Sequence, residues 1–140
     1  MIDISNFTRQ HKDILSDINE IDKIVNRQDY EEYLNEFVSH INNLSGRLKI
    51  HLSYEDKFLY PSLVDGQDTE LKNLAQEYAH EMGDIADVFS HYKNEFNTKS
   101  KIIERLDTFK VNTKHILDEI KNRISKEENG LYKVILEKRL

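Results

Sequence analysis

Apolar residues return every three or four positions through four long stretches of this chain, and almost nothing inside those stretches interrupts a helix. The first carries Phe7, Ile14, Leu15, Ile18, Ile21 and Val25, and is predicted to run from about Ser5, as its N-cap, to Asn26. The second begins at Asp29 and carries Tyr33, Leu34, Phe37, Ile41, Leu44, Leu48, Leu52 and Leu59 as far as Pro61, whose missing N–H is expected to end it. The third starts at Asp68 or Thr69, with Leu71, Leu74, Tyr78, Met82, Ile85, Phe89 and Phe96 on its stripe. The fourth runs from about Ser100 through Ile103, Leu106, Phe109, Ile116, Leu117, Ile120 and Ile124. Gly130 marks a bend, and "LYKVILEKRL" beyond it is a short terminal helix or a continuation. One Pro and four Gly in 140 residues leave few helix breakers. Long amphipathic segments joined by short polar turns predict an all-α fold, an antiparallel up-down-up-down four-helix bundle forming a single domain over residues 1–140.

A pattern within the second segment recurs in the fourth. "HLSYEDKFLYP" at 51–61 returns as "RISKEENGLYK" at 123–133, so that Glu55 matches Glu127, Asp56 matches Glu128, Leu59 matches Leu131 and Tyr60 matches Tyr132. The imidazole of His51 has become the guanidinium of Arg123. The bundle therefore reads as two copies of a helix pair, and His11 of the first pair finds its counterpart near His80 of the second.

His51 and Glu55, four residues apart, fall on one helix face beside an apolar seam. At about 1.5 Å per residue, His11, His51, Glu55, His80 and Glu127 all come within roughly 9 to 17 Å of one end of the bundle, so they are expected to meet in one layer. Two carboxylates in a low-dielectric core cannot both stay ionised without a cation, and a metal ion would supply that charge. With no Cys in the chain, its ligands must be nitrogen and oxygen, a set that suits iron, manganese or zinc. His40 and His91 project along the same faces one layer deeper and are read as core or surface histidines. His115, off the ligand stripe by roughly 80°, is a reserve candidate.

Other function classes fit poorly. A net charge of −6 with Lys and Glu intermixed argues against a nucleic-acid surface. No basic-then-apolar leader and no run near the roughly 20 apolar residues of a membrane span is visible, so a cytoplasmic protein is the expectation. A ferritin-like di-iron oxidase would want two Glu-x-x-His motifs, and only Glu77 with His80 fits.

Taken together, "FTRQHKDIL", "HLSYEDKFLYP", "QEYAHEMGDI" and "RISKEENGLY" resemble the successive metal-binding helices of the hemerythrin-like family, also called HHE cation-binding domains. That resemblance covers nearly the whole chain. It implies a non-haem di-iron centre, ligated here by His11, His51, Glu55, His80 and Glu127, in a protein that binds or senses dioxygen or nitric oxide or handles iron, a binding or sensing role being expected over an enzymatic one. Many members carry a second His on the first or third helix; the fourth residue after His80 is Asp84, a carboxylate that reads either as a ligand or as a solvated helix residue. Arg123 departs from the pattern, because a guanidinium stays protonated and cannot ligate. The centre is accordingly expected to be di-iron, mononuclear or empty. In the last case Arg123 would pair with Glu55 or Glu127 and the bundle would serve as a metal-free interaction or sensor module.

Overall fold

The computed structural model describes residues 3–138, and at positions 82 and 83 the backbone alone. Among the described residues there are seven α-helices and no strand: α1 (Ser5–Val25), α2 (Leu34–Phe58), α3 (Tyr60–Val64), α4 (Thr69–Phe96), α5 (Lys99–Ile103), α6 (Leu106–Lys126) and α7 (Lys133–Lys138). A 3-10 turn at Tyr30–Tyr33 leads into α2, and a π-helical turn at Glu127–Tyr132 links α6 to α7. None of the described helices is long and apolar enough to cross a membrane.

The four long helices follow the four periodic stretches, with local differences that have physical causes. Ile4, not Ser5, occupies the N-cap of α1, and the Ser5 N–H is instead met by Asp3 Oδ1 at 2.9 Å. Pro61 does not end the second helix. The helix breaks two residues earlier, at Leu59, and Pro61 lies in the first turn of α3, where an N–H has no intrahelical partner to lose. The fourth stretch is likewise divided, α5 closing before Arg105 and α6 opening at Leu106. Asp68 caps α4 by accepting the Leu71 N–H at 3.1 Å, and Thr98 caps α5 by accepting the Lys101 N–H at 3.2 Å. Met82, expected on the apolar stripe of α4, lies outside the described side chains.

Packing runs in a closed circuit: α1 lies along α2, α2 against α4, α4 against α6 and α6 against α1. Two apolar clusters fill the interior. The larger holds Ile14, Ile18, Phe37, Ile41, Phe96 and Phe109 among others, with the Phe37 and Phe109 rings edge to face at 4.8 Å. Phe7, Leu59, Leu71, Ala75, Leu131 and Ile135 form the core of the smaller, at the end of the molecule where α3 and α7 sit. Each buried Leu, Ile or Phe contributes roughly 1.5–3 kcal/mol of transfer free energy, so these two clusters dominate stability.

The boundary between the clusters positions the polar residues. Along α1, His11 lies between Phe7 of the smaller cluster and Ile14 of the larger; along α2, His51 and Glu55 lie between Leu48 and Leu59. After α6, Glu127 lies between Ile124 and Leu131. In each case the polar group keeps the helical phase of its apolar neighbours and is carried into the interior with them.

Candidate metal centre

His11, His51, Glu55 and Glu127 are all buried, and one donor atom from each lies within 4.8 Å of all the others. His11 Nε2 is 2.9 Å from His51 Nε2 and 3.5 Å from Glu127 Oε1. His51 Nε2 is 2.9 Å from Glu55 Oε1, one turn further along α2, and 3.9 Å from Glu127 Oε1.

The outward nitrogens of both rings are held by oxygen. His11 Nδ1 stands 3.0 Å from Glu128 Oε1, and His51 Nδ1 stands 2.8 Å from Gln10 Oε1. A carboxylate or carbonyl oxygen there takes the Nδ1 proton and leaves the Nε2 lone pair turned inward, the arrangement that orients imidazole ligands in metalloproteins. The inner space thus collects two imidazole lone pairs and two carboxylates. Two of its oxygens, Glu55 Oε2 and Glu127 Oε1, have no hydrogen-bond partner although fully buried. So many converging acceptors require a cation or protons among them. Replacing Gln10 with Ala, or Glu128 with Gln, is expected to weaken zinc or iron binding about 10- to 100-fold without loss of helix, checked by competition against a chelator of known affinity and by circular dichroism.

Two tyrosines complete the layer. Tyr60 donates its hydroxyl to Glu127 Oε2 at 3.1 Å, and Tyr132 donates to Glu55 Oε1 at 2.6 Å. Tyr132 and Glu127 share the interior because of the π-helical turn, whose wider coil stacks residues five apart instead of four. Gly130 allows that turn to pack: the Tyr78 hydroxyl rests where a Cβ on Gly130 would lie.

Protons can occupy the layer when no metal does. Burial works against an imidazolium at His51, but the carboxylates of Glu127 and Glu55 outweigh it and lift its pKa to about 9. Burial raises the Glu55 carboxyl to about 8, against the hydrogen bond from His51. Burial opposes ionisation of Glu127 as well, but the polar groups of His11, His51 and Glu55 around it outweigh that and draw it down to about 2. Burial and the two carboxylates push both phenols well above their ordinary range.

The expected five-residue layer is brought together in four of its members. His80 lies outside it, with its side chain 83% exposed on the solvent face of α4 and its Nε2 3.8 Å from the equally outward Asp84. At about 100° per residue, His80 is roughly 140° from both Ala75 and Ile85, the buried residues that bracket it, so burying those two turns it away. Arg123 pairs with neither Glu55 nor Glu127. Its side chain is 26% exposed and its guanidinium bonds Glu81 of α4, which Lys126 also approaches at 3.5 Å. His91 is exposed, His115 faces Glu119 at 3.2 Å on the surface, and His40 is half-buried with Nδ1 unpartnered.

Gln10, Glu128 and Tyr132 were not legible as site residues. Their one sequence signal is adjacency: Gln10 precedes His11, Glu128 follows Glu127, and Tyr132 pairs with Tyr60 in the repeated pattern. Tyr60, the other member of that pair, has its hydroxyl committed to Glu127.

No curated protein and no solved structure gave a significant match to the chain. A family model described as hemerythrin HHE cation binding domain matches residues 3–135. With that match spanning all four long helices, and the buried His and Glu cluster within it, the chain belongs to the hemerythrin HHE cation-binding family.

Proposed function

We propose that this protein binds a single metal ion, iron foremost, through His11, His51, Glu55 and Glu127, and uses it to bind or sense dioxygen or nitric oxide or to hold iron. The observation that carries this is the convergence of four buried nitrogen and oxygen donors within 4.8 Å of one another, with both imidazoles oriented from behind. Two imidazoles and two carboxylates suit iron, manganese or zinc, and iron among these supplies redox change and affinity for diatomic molecules. The four long helices are read as an up-down-up-down bundle, with ligands on α1, on α2 and in the turn that follows α6, and none of the proposed four on α4.

Arg123 favours one ion over two. A second ion would draw ligands from α4 and from position 123, yet position 123 is a guanidinium bonded to Glu81, and His80 faces solvent. The Arg123 guanidinium places a fixed positive charge between α4 and α6, where a second metal would otherwise bring one, and Glu81 neutralises it. Anaerobic loading with Fe(II), followed by removal of free metal, is expected to leave about one ion per chain, and nitric oxide is then expected to change its visible spectrum. Arg123→His is expected to leave the count unchanged, because His80 would still face away. Two ions per chain in the unmutated protein would contradict the single-ion reading, and no retained ion would contradict metal binding altogether.

A further inference from the structure

The Tyr132 hydroxyl does more than border the centre. It stands 2.6 Å from Glu55 Oε1 and 3.5 Å from His11 Nε2. Its ring is held in place on two sides, nearly parallel to the His11 imidazole at 5.3 Å and tilted against Phe7 at 6.2 Å. Donor atoms about 2.1 Å from a common ion lie about 3.0 Å apart when adjacent in an octahedron and about 3.4 Å apart in a tetrahedron. Four of the six separations among the imidazole and carboxylate donors are 2.9, 2.9, 3.5 and 3.9 Å, near or somewhat above those values, and all six lie within 4.8 Å. Tyr132 Oη lies within the same reach of two of them, its 3.5 Å to His11 Nε2 falling inside that range and its 2.6 Å to Glu55 Oε1 just below it. Tyr60 does not share this position: it bonds Glu127 Oε2, whereas Oε1 of that carboxylate is the oxygen facing the imidazoles.

We propose that Tyr132 is a fifth ligand of the centre, binding a trivalent ion through its phenolate oxygen. This rests on the reading of His11, His51, Glu55 and Glu127 as the metal site. Charge selects the ion: two carboxylates neutralise a divalent cation, but a trivalent one would leave a net positive charge buried between two apolar clusters, and a phenolate cancels it. The bond that forms is oxygen to metal, the bond that breaks is phenol O–H, the proton leaves to solvent and no electron moves. Toward a divalent ion the hydroxyl remains a hydrogen-bond donor to Glu55.

The test loads the full chain with Fe(III) from a weak chelate, measures bound iron, and records the visible spectrum with resonance Raman scattering. Bound iron with a phenolate-to-iron charge-transfer band and enhanced tyrosine ring modes is expected; Tyr92→Phe, whose hydroxyl bonds Thr113 and no residue of the centre, keeps the band and Tyr132→Phe abolishes it. Retained iron without the band, or a band undiminished in Tyr132→Phe, overturns the ligand role and leaves the four-residue site standing. Failure to retain any ion overturns the site itself. Should Tyr132→Phe not fold, Ga(III) added to the unmutated protein is expected to give the near-ultraviolet difference spectrum of a single deprotonated tyrosine, and Zn(II) none; a gallium-loaded protein without that signature overturns the role equally.

Discussion

Replacing Glu55 with Gln is expected to stabilise the metal-free protein while crippling its metal binding. Glu55 and Glu127 face the same enclosed space, and folding at neutral pH forces a proton onto Glu55, whose pKa is about 8 in the folded protein. An unfolded chain would release that proton, so the native state carries a penalty that an amide of the same shape does not. Glutamine is expected to raise the unfolding free energy by on the order of 2 kcal/mol at pH 7, read from urea denaturation in the presence of a chelator. The same change removes one of four charged or imidazole donors and is expected to lower zinc or iron affinity by at least about 100-fold. Opposite signs in one variant mark a site built for a cation rather than for stability. A Glu55→Gln protein that is less stable without metal would instead make the His51–Glu55 pair a net structural contributor.

Stability and metal affinity are likewise expected to run in opposite directions with pH. Glu55 is raised from 4.5 to about 8, and His51 from 6.5 to about 9. Both groups hold protons in the folded state that the unfolded chain gives up, so their contribution is fully present at low pH and is lost as pH rises through those windows. Glu127, lowered to about 2, acts the other way and is lost only as pH falls below about 4.5. The metal-free protein should therefore be most stable near pH 5 and lose on the order of a few kcal/mol by pH 9. An incoming ion must displace those protons, so zinc affinity should rise over the same range, by about tenfold per pH unit for each proton released. Denaturation across pH, with calorimetric titration in buffers of different ionisation enthalpy, checks both; stability that climbs toward pH 9 without metal would contradict the assignment.

Helical period made much of this legible beforehand. His11, His51, Glu55 and Glu127 each share the phase of buried neighbours, and the repeated pattern tied the α2 carboxylate to the one after α6. The expectation for His80 rests on its height along the bundle and not on its rotation, and the burial of Ala75 and Ile85, each roughly 140° away around α4, turns it to solvent. The π-helical turn was not available. A lone Gly130 announces a bend, but only the packing of Tyr78 over it, with Glu127 and Tyr132 carried inward together, shows that the helix widens there. The role of Arg123 lay outside sequence reasoning for a similar reason, since its partner Glu81 comes from a different helix and no spacing rule connects them.

One ion is expected among His11, His51, Glu55 and Glu127. Crystals of the protein loaded with zinc or iron, with diffraction measured on either side of that metal's absorption edge, test it most directly. One anomalous peak is expected within about 2.0–2.2 Å of His11 Nε2, His51 Nε2 and an oxygen each of Glu55 and Glu127. A peak beside His80 and Asp84, a pair of peaks spanning Glu81 and position 123, or an interior without any peak would contradict it.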